Sequence, residues 1–431
     1  MHANTEVMWN KIRQIWKAAD LRNSIIFVLL MLVVYRIATH VPVPGVNATN
    51  LRDFFQSNQV LGMLDLFSGG SMQNFSVVAL GVGPYITSSI IFQLLAMIIP
   101  RLEEIQKDGA GGQERINYYT RLATVPLALL QAYAMLSILT ASGRGIVGDL
   151  SSLQKIVIIL AMTTGTIFLM WIGELISERK IGNGISILIF ANIVDRIPTT
   201  IQQAILTYEP SKLLNWAAFA VIGFLTVAGV VFITEGQRNI PVVYAKRMRG
   251  GKLFGGAETY LPLRVNMAGV IPIIFAVSII LFPPMIAQFF LKAKTAWLAA
   301  GAQKTIMFFQ DKWIYGILYF LLVFVFTYFY TAVVFHPDRV AENLQKQGGF
   351  IPGIRPGNPT ADYINKTVSR IIPAGAFFLA AIAVLPLIVE QMTGTQSLVV
   401  GGTSLLIVVS VVIEIVKQID SQMTMRDYEA L

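Results

Sequence analysis

The chain has 431 residues, 55% of them hydrophobic and only 13% charged, and its mean hydropathy of +0.64 excludes a soluble domain of that length. The net charge of +9 is scattered through short loops with no long basic tract, which argues against nucleic acid as the ligand. There is no cysteine, so disulfides, thiolate nucleophiles and Cys-based metal sites are excluded as well.

Residues 1–23 are polar and basic with an amphipathic pattern, and Ile25 to Val41 form the first predicted span. Val41-Pro42-Val43-Pro44-Gly45 follows with no small-x-small cleavage pattern, so this span reads as an uncleaved helix. Arg36, near its far end, is placed to snorkel. Leu61 to Phe67 is too short to cross a membrane, carries Asp65 and is cut off by Ser68-Gly69-Gly70. It predicts a short helix folded back beside a full span at Phe75 to Ile98, an uncharged run long enough, at roughly 36 Å, to cross a bilayer.

A polar loop from Arg101 to Arg121 leads to spans predicted at 122–139 and 156–176. The tight turn Ser177 to Gly184 then delivers a fifth at 185–205. Five more are predicted at 213–234, 267–289, 313–335, 371–389 and 399–416, giving an all-α polytopic membrane protein of ten transmembrane helices in two halves, 1–210 and 211–431. Of the 33 lysines and arginines, 23 fall in the loops on the side of the N-terminus. The positive-inside rule therefore predicts that both termini are cytoplasmic. Because five is odd, the second half enters from the opposite side and the two halves are inverted.

Gly81-Val82-Gly83-Pro84-Tyr85-Ile86 in the second span returns 188 residues later as Gly269-Val270-Ile271-Pro272-Ile273-Ile274 in the seventh, both reading G-V-x-P-x-I. Gly/Pro-interrupted helices at corresponding places of two halves point to a conduction or binding path.

Enzymatic and coupled-transport chemistry lack their groups. The three histidines, His2, His40 and His336, lie in the tail or near span ends, and there is no H-E-x-x-H, G-x-S-x-G or P-loop. Near the expected midplane almost nothing ionises. Glu174 and Glu414 sit toward cytoplasmic ends, where snorkelling or a structural partner accounts for them. An ion-coupled secondary transporter with inverted repeats stands as the alternative to a channel, weakened by that lack. Aliphatics line the broken helices instead: Val82 and Ile86 share a face, as do Ile185 and Ile189 of the fifth span, and Ile274 matches Ile86 by the repeat. Such i, i+4 pairs suit packing as well as a pore lining.

Leu66-Phe67-Ser68-Gly69-Gly70, the run Gly81 to Leu95, Gly182-Asn183-Gly184-Ile185-Ser186-Ile187, Leu261 to Pro272, Pro352-Gly353-Ile354-Arg355-Pro356-Gly357 and Gly401-Gly402-Thr403-Ser404-Leu405-Leu406-Ile407 occur in this order. In these motifs the chain closely resembles the SecY/Sec61-alpha family of protein translocase channels. The resemblance implies a non-enzymatic, cofactor-free hourglass channel for secretory preproteins and their signal sequences, in a bacterial plasma membrane. The short helix Leu61, Gly62, Met63, Leu64, Asp65, Leu66, Phe67 would be its plug. The constriction would carry Val82, Ile86, Ile185, Ile189, Ile274 and Ile407, and a lateral gate to the lipid bilayer would open between the second and seventh spans, with Thr87, Ser88, Gln93 and Asn183 as polar contacts. Partners implied are SecE, SecG, the SecA ATPase and the ribosome. The motor or ribosome would dock on Arg355, with Arg247, Arg249 and Lys252 secondary. Gly250-Gly251-Lys252 stands where family members often show adjacent arginines, which puts the strength of that contact in question.

Overall fold

A computed structural model of the chain describes residues 13–46, 49–51, 71–141, 146–148, 151–206, 213–244, 247–249, 252–254, 258–291, 295–393 and 399–429. The first long helix, α1 (Ala19–Thr39), is followed by chain that pairs with residues 75–77, where Val43 N–H donates to the Phe75 carbonyl at 2.8 Å and Val77 N–H to that of Val41 at 3.0 Å. Residues 71–82 are a succession of turns, not the start of a helix. Phe75, Ala79 and Leu80 nonetheless sit in a core with Met135, Leu139, Ile158 and Met162. The second predicted span is therefore corrected: its helix, α2, runs only from Gly83 to Ile98. Phe75 and Gly81 take positive φ of 44° and 58°, which no right-handed helix accommodates, and Pro84 fits the first turn of a helix, where its missing N–H costs nothing.

The chain bends by 107° between α2 and α3 (Pro100–Lys107). The polar stretch read as a loop to Arg121 is largely helical, because α4 already begins at Ala110 and runs to Ala141. Ser151 and Gln154 cap the next helix, α5 (Ser152–Glu178), reciprocally: each side chain accepts from the other's backbone N–H. Asn183 caps α6 (Gly184–Leu206) by accepting from the N–H groups of Ile185 at 3.0 Å and Ser186 at 3.2 Å. In this part of the chain α2 packs on α4, α4 on α5, and α5 on both α1 and α6.

After α7 (Leu213–Glu235) the chain forms β1 (Gln237–Tyr244), a small hairpin of β2 (Arg247–Arg249) and β3 (Lys252–Phe254), and β4 (Glu258–Arg264). These strands are an addition to the all-helical sequence reading. The helices continue with α8 (Ile271–Phe290), α9 (Ala296–Gln310), α10 (Lys312–Val334) and α11 (Pro337–Lys346), and then β5 (Gly349–Phe350) joins β4 and β1 in an antiparallel sheet of order β4-β1-β5. The last helices are α12 (Asn358–Thr393), against which α7, α10 and α11 pack, and α13 (Val399–Glu429).

A helix lies in each of the ten predicted intervals. Among the described residues, five helical stretches are long and apolar enough to cross a membrane: 19–39, 111–140, 152–178, 312–346, which takes in α10 and α11, and 358–385. The bent pair α2 and α3 would make a sixth, and shorter apolar helical stretches lie at 184–195, 221–235 and 271–287. The chain divides into two compact units, one of residues 1–212, 281–310 and 411–431, the other of 213–280 and 311–410. In the first, the turn between α5 and α6 is a junction: the Arg179 guanidinium lies 4.1 Å from the centre of the Phe27 ring, and the Gln422 amide donates to the Lys180 carbonyl at 2.6 Å.

Candidate functional site

The two copies of G-V-x-P-x-I fold alike. Gly81 and Gly269 both take left-handed φ, 58° and 64°, and in each copy a helix starts two residues on, at Gly83 and at Ile271, with the proline as its second residue. The first helical hydrogen bonds match as well: Ile86 N–H donates to the Val82 carbonyl at 3.0 Å and Ile274 N–H to that of Val270 at 3.3 Å. A positive φ stops any helix arriving from upstream, and the next apolar residues are thereby placed in a first turn.

In the first unit Val82 and Ile189 are buried while Ile86 and Ile185 are half-buried. Ile185 leans on Gly173 of α5, so closely that its Cδ1 would lie 2.6 Å from a Cβ at that glycine. In the second unit Ile274 and Ile407 are buried. A shut apolar neck and an ordinary core bury aliphatic side chains alike. The plug residues, Leu61 to Phe67, lie outside the described residues.

The four polar residues proposed for a gate are used unequally. Thr87 Oγ1 donates to the Gly83 carbonyl at 3.0 Å inside its own helix, whereas Ser88 Oγ donates across to the Thr120 carbonyl of α4 at 2.7 Å. Asn183 spends its side-chain oxygen capping α6. Gln93 donates to Ser89 Oγ at 3.1 Å, and its Oε1 is buried without a hydrogen-bond partner among the described residues.

Arg355 is exposed on a tip whose shape follows from its sequence. Gly353 and Gly357 take φ of 83° and 96°, which only glycine adopts readily, and Pro352 and Pro356 precede them. Ile351 and Ile354 root the tip in a core with Ile240, Val242, Ile364 and Val368. Thr360 Oγ1 donates to the Arg355 carbonyl at 2.8 Å and fixes the backbone under the guanidinium. The β2–β3 register pairs Arg247 with Phe254 and Arg249 with Lys252. It puts 247, 249 and 252 at positions on one face of the hairpin. Gly250 and Gly251 lie outside the described residues.

Sequence reasoning missed two polar links. Arg36 is ion-paired with Asp195 of α6, and one residue earlier Tyr35 OH donates to Asn192 Oδ1. The signal was present, because Asp195 is an acid in the middle of the predicted fifth span and Arg36 a base within the first, and each needs a partner there. Glu174 has its structural partner in Arg121, at 2.5 Å. No group of three or more metal-ligating side chains occurs among the described residues.

The SecY family model matches residues 76–416. The chain belongs to the SecY family. Protein translocase subunit SecY of Streptomyces galbus is 42% identical over 96% of this chain and 97% of its own length, and that of Corynebacterium glutamicum is 43% identical over 97% and 99%. Among solved structures, one described as the structure of a protein conducting channel aligns with TM-score 0.61 at 17% identity, covering 91% of this chain and 90% of that one. Sec61 in the canine ribosome-channel complex from the endoplasmic reticulum aligns with TM-score 0.59 at 16% identity over 91% and 90%. The SecY fold is thus shared over 91% of the chain. The multi-pass membrane character read from composition holds for this SecY-family member.

Proposed function

We propose that this chain, a channel-forming translocase subunit and not an enzyme, conducts unfolded secretory polypeptides through an apolar neck and releases apolar segments sideways into lipid. The observation that carries the reading is 42–43% identity to protein translocase subunits over 96–97% of the chain. Likeness of that length to translocase subunits favours the channel over the coupled transporter. Ten spans in two inverted halves, 1–210 and 211–431, with both termini cytoplasmic in a bacterial plasma membrane, complete the architecture we put forward.

The neck is assigned to Val82, Ile86, Ile185, Ile189, Ile274 and Ile407. Aliphatic side chains offer a passing chain no strong partner and close against ions by dewetting, and the two glycine breaks begin the helices that present Ile86 and Ile274. The segment Leu61 to Phe67 acts as the plug. The gate is assigned to α2 and α8, and Gln93, with an unspent buried acceptor, is the polar residue best suited to it. Arg355 on its rigid tip, supported by Arg247, Arg249 and Lys252, docks the SecA motor or the ribosome; the ribosome-bound Sec61 neighbour favours the second partner. SecE and SecG are the partner subunits.

The test uses single cysteines, unambiguous in a chain that has none. With the chain in vesicles beside its partner subunits, a preprotein stalled during ATP-driven transport is expected to crosslink to Ile86→Cys and Ile274→Cys. It should not crosslink to Phe224→Cys, whose parent side chain is exposed on α7. Crosslinking confined to Phe224→Cys, or solute flux without preprotein movement, would overturn the reading.

A further inference from the structure

Helix α9 (Ala296–Gln310) has a composition and an exposure that neither a span nor a soluble helix explains. It is not among the helices apolar enough to cross a membrane. Only Ala302 of its 15 residues is fully buried, yet Trp297 is 74% exposed, Met307 58% and Phe308 51%. At 3.6 residues per turn the spacing of 4, 3 and 4 puts Trp297, Gly301, Lys304 and Phe308 in one line along the helix, with Met307 beside it. Leu298, Ala302, Thr305 and Phe309 share the flank that is buried or half-buried. Gln303 and Gln310 are exposed on a third flank, away from the aromatic line. A packed flank, an aromatic and cationic flank and an amide flank make the pattern of a helix lying in a membrane surface.

Two further observations specify what covers the aromatic line. The first is tethering. The apolar helix α8 ends at Phe290, five residues before α9, and the span α10 begins at Lys312, with only Asp311 between it and Gln310. Even fully extended, the longer tether reaches only about 20 Å, so α9 stays at the surface where its neighbours enter and leave. Asp311 fixes the second junction by accepting from the N–H groups of Trp313 at 2.9 Å and Ile314 at 3.0 Å. The second is charge. Between Phe290 and Gln310 the sequence has Lys292, Lys294 and Lys304 and no acid, which suits the phosphate level of a bilayer.

We infer that α9 is an interfacial helix whose Trp297–Gly301–Lys304–Phe308 line lies in the phospholipid headgroup layer, with Trp297, Met307 and Phe308 below the phosphates and Lys304 reaching up to them. In the topology proposed above this is the outer leaflet. Aromatic side chains are at home at that depth, and a helix so held braces the connection between two spans.

The cysteine-free chain makes the test direct. A Cβ at Gly301 meets nothing within 4 Å, so Gly301→Cys accepts a nitroxide without disturbance, and Gln303→Cys places the same label on the amide flank. Both variants are reconstituted with the partner subunits in vesicles of phosphatidylglycerol and phosphatidylcholine, and the spectra are read with oxygen, which concentrates in lipid, and with a water-soluble nickel chelate. The expected result is an oxygen-to-chelate accessibility ratio several-fold higher at 301 than at 303. In the Gly301→Cys background, Lys304→Gln should make the label shallower in phosphatidylglycerol vesicles. Equal ratios at the two sites would overturn the inference, as would a label at 301 immobilised and shielded from both reagents, which would mean that protein covers the line. The readout is the depth of one helix, so it stands or falls separately from polypeptide transport.

Discussion

Gly81 and Gly269, 188 residues apart, hold the same left-handed backbone, φ 58° and 64°, and each releases a helix two residues later. Nothing lies within 4 Å of a Cβ at Gly269, so Gly269→Ala meets only the conformational cost, about 1–2 kcal/mol. A lowered unfolding midpoint in detergent is expected. Gly111→Ala, inside α4 with equal room and no positive φ, should be neutral or slightly stabilising. Equal losses from both variants would show that the left-handed φ is not what matters.

Gly184 tests close approach in place of conformation. A Cβ there would lie 1.8 Å from the Gly173 carbonyl oxygen, a backbone atom that no rotamer change can move aside. Ser177 Oγ closes the same turn, donating to that carbonyl at 2.9 Å and accepting from Gly184 N–H at 2.8 Å. Gly184→Ala should therefore cost about 3 kcal/mol or more and separate α5 from α6. A variant as heat-stable as the parent would contradict the packing.

The Arg36–Asp195 pair joins α1 to α6, and both side chains are about one-third exposed. A double-mutant cycle with Arg36→Leu and Asp195→Leu should give a coupling of about 1 kcal/mol, because each single variant leaves a half-covered charge and the double variant leaves none. Additive melting shifts would mean that the pair does not hold the two helices together.

Charge in the proposed neck should harm sealing more than folding. Ile86→Asp and Ile274→Asp are expected to raise resting ion conductance in planar bilayers while membrane insertion persists. Deleting Gly62 to Phe67 should likewise leak ions yet leave transport intact. Conductance like the parent's would remove those residues from the path, and loss of folding on the deletion would make the segment structural.

Arg355→Glu should cripple motor-driven export from a protein that remains folded, since the side chain projects from an exposed tip. Thr360→Val removes only the hydrogen bond to the Arg355 carbonyl. It should give a smaller loss, about 1 kcal/mol of docking affinity by titration of the motor. Full motor-driven transport by Arg355→Glu together with undiminished ribosome binding would reject the docking role.

The sequence alone determined the membrane class, because composition and uncharged runs of span length are additive properties that need no neighbours. It also located the paired glycine–proline breaks, since glycine and proline act through their own φ, and the tip at 352–357 for the same reason, but it ran the second span through its break instead of starting the helix there. It misjudged whatever depends on a neighbour. Phe75 to Leu80 are apolar enough to continue a membrane helix, and only the packing against Met135, Leu139 and Ile158 shows them folded as turns. Asn183 looked like a candidate for the gate, but its oxygen is spent capping the helix that begins one residue on, a local signal the sequence reading passed over. The strands β1, β4 and β5 escaped notice because β1 pairs with Gly349 and Phe350, more than a hundred residues away, and no local pattern announces so distant a partner. Arg36 read as a lone snorkelling charge until tertiary structure brought Asp195 to it, for the energy of an ion pair belongs to two positions and is written at neither.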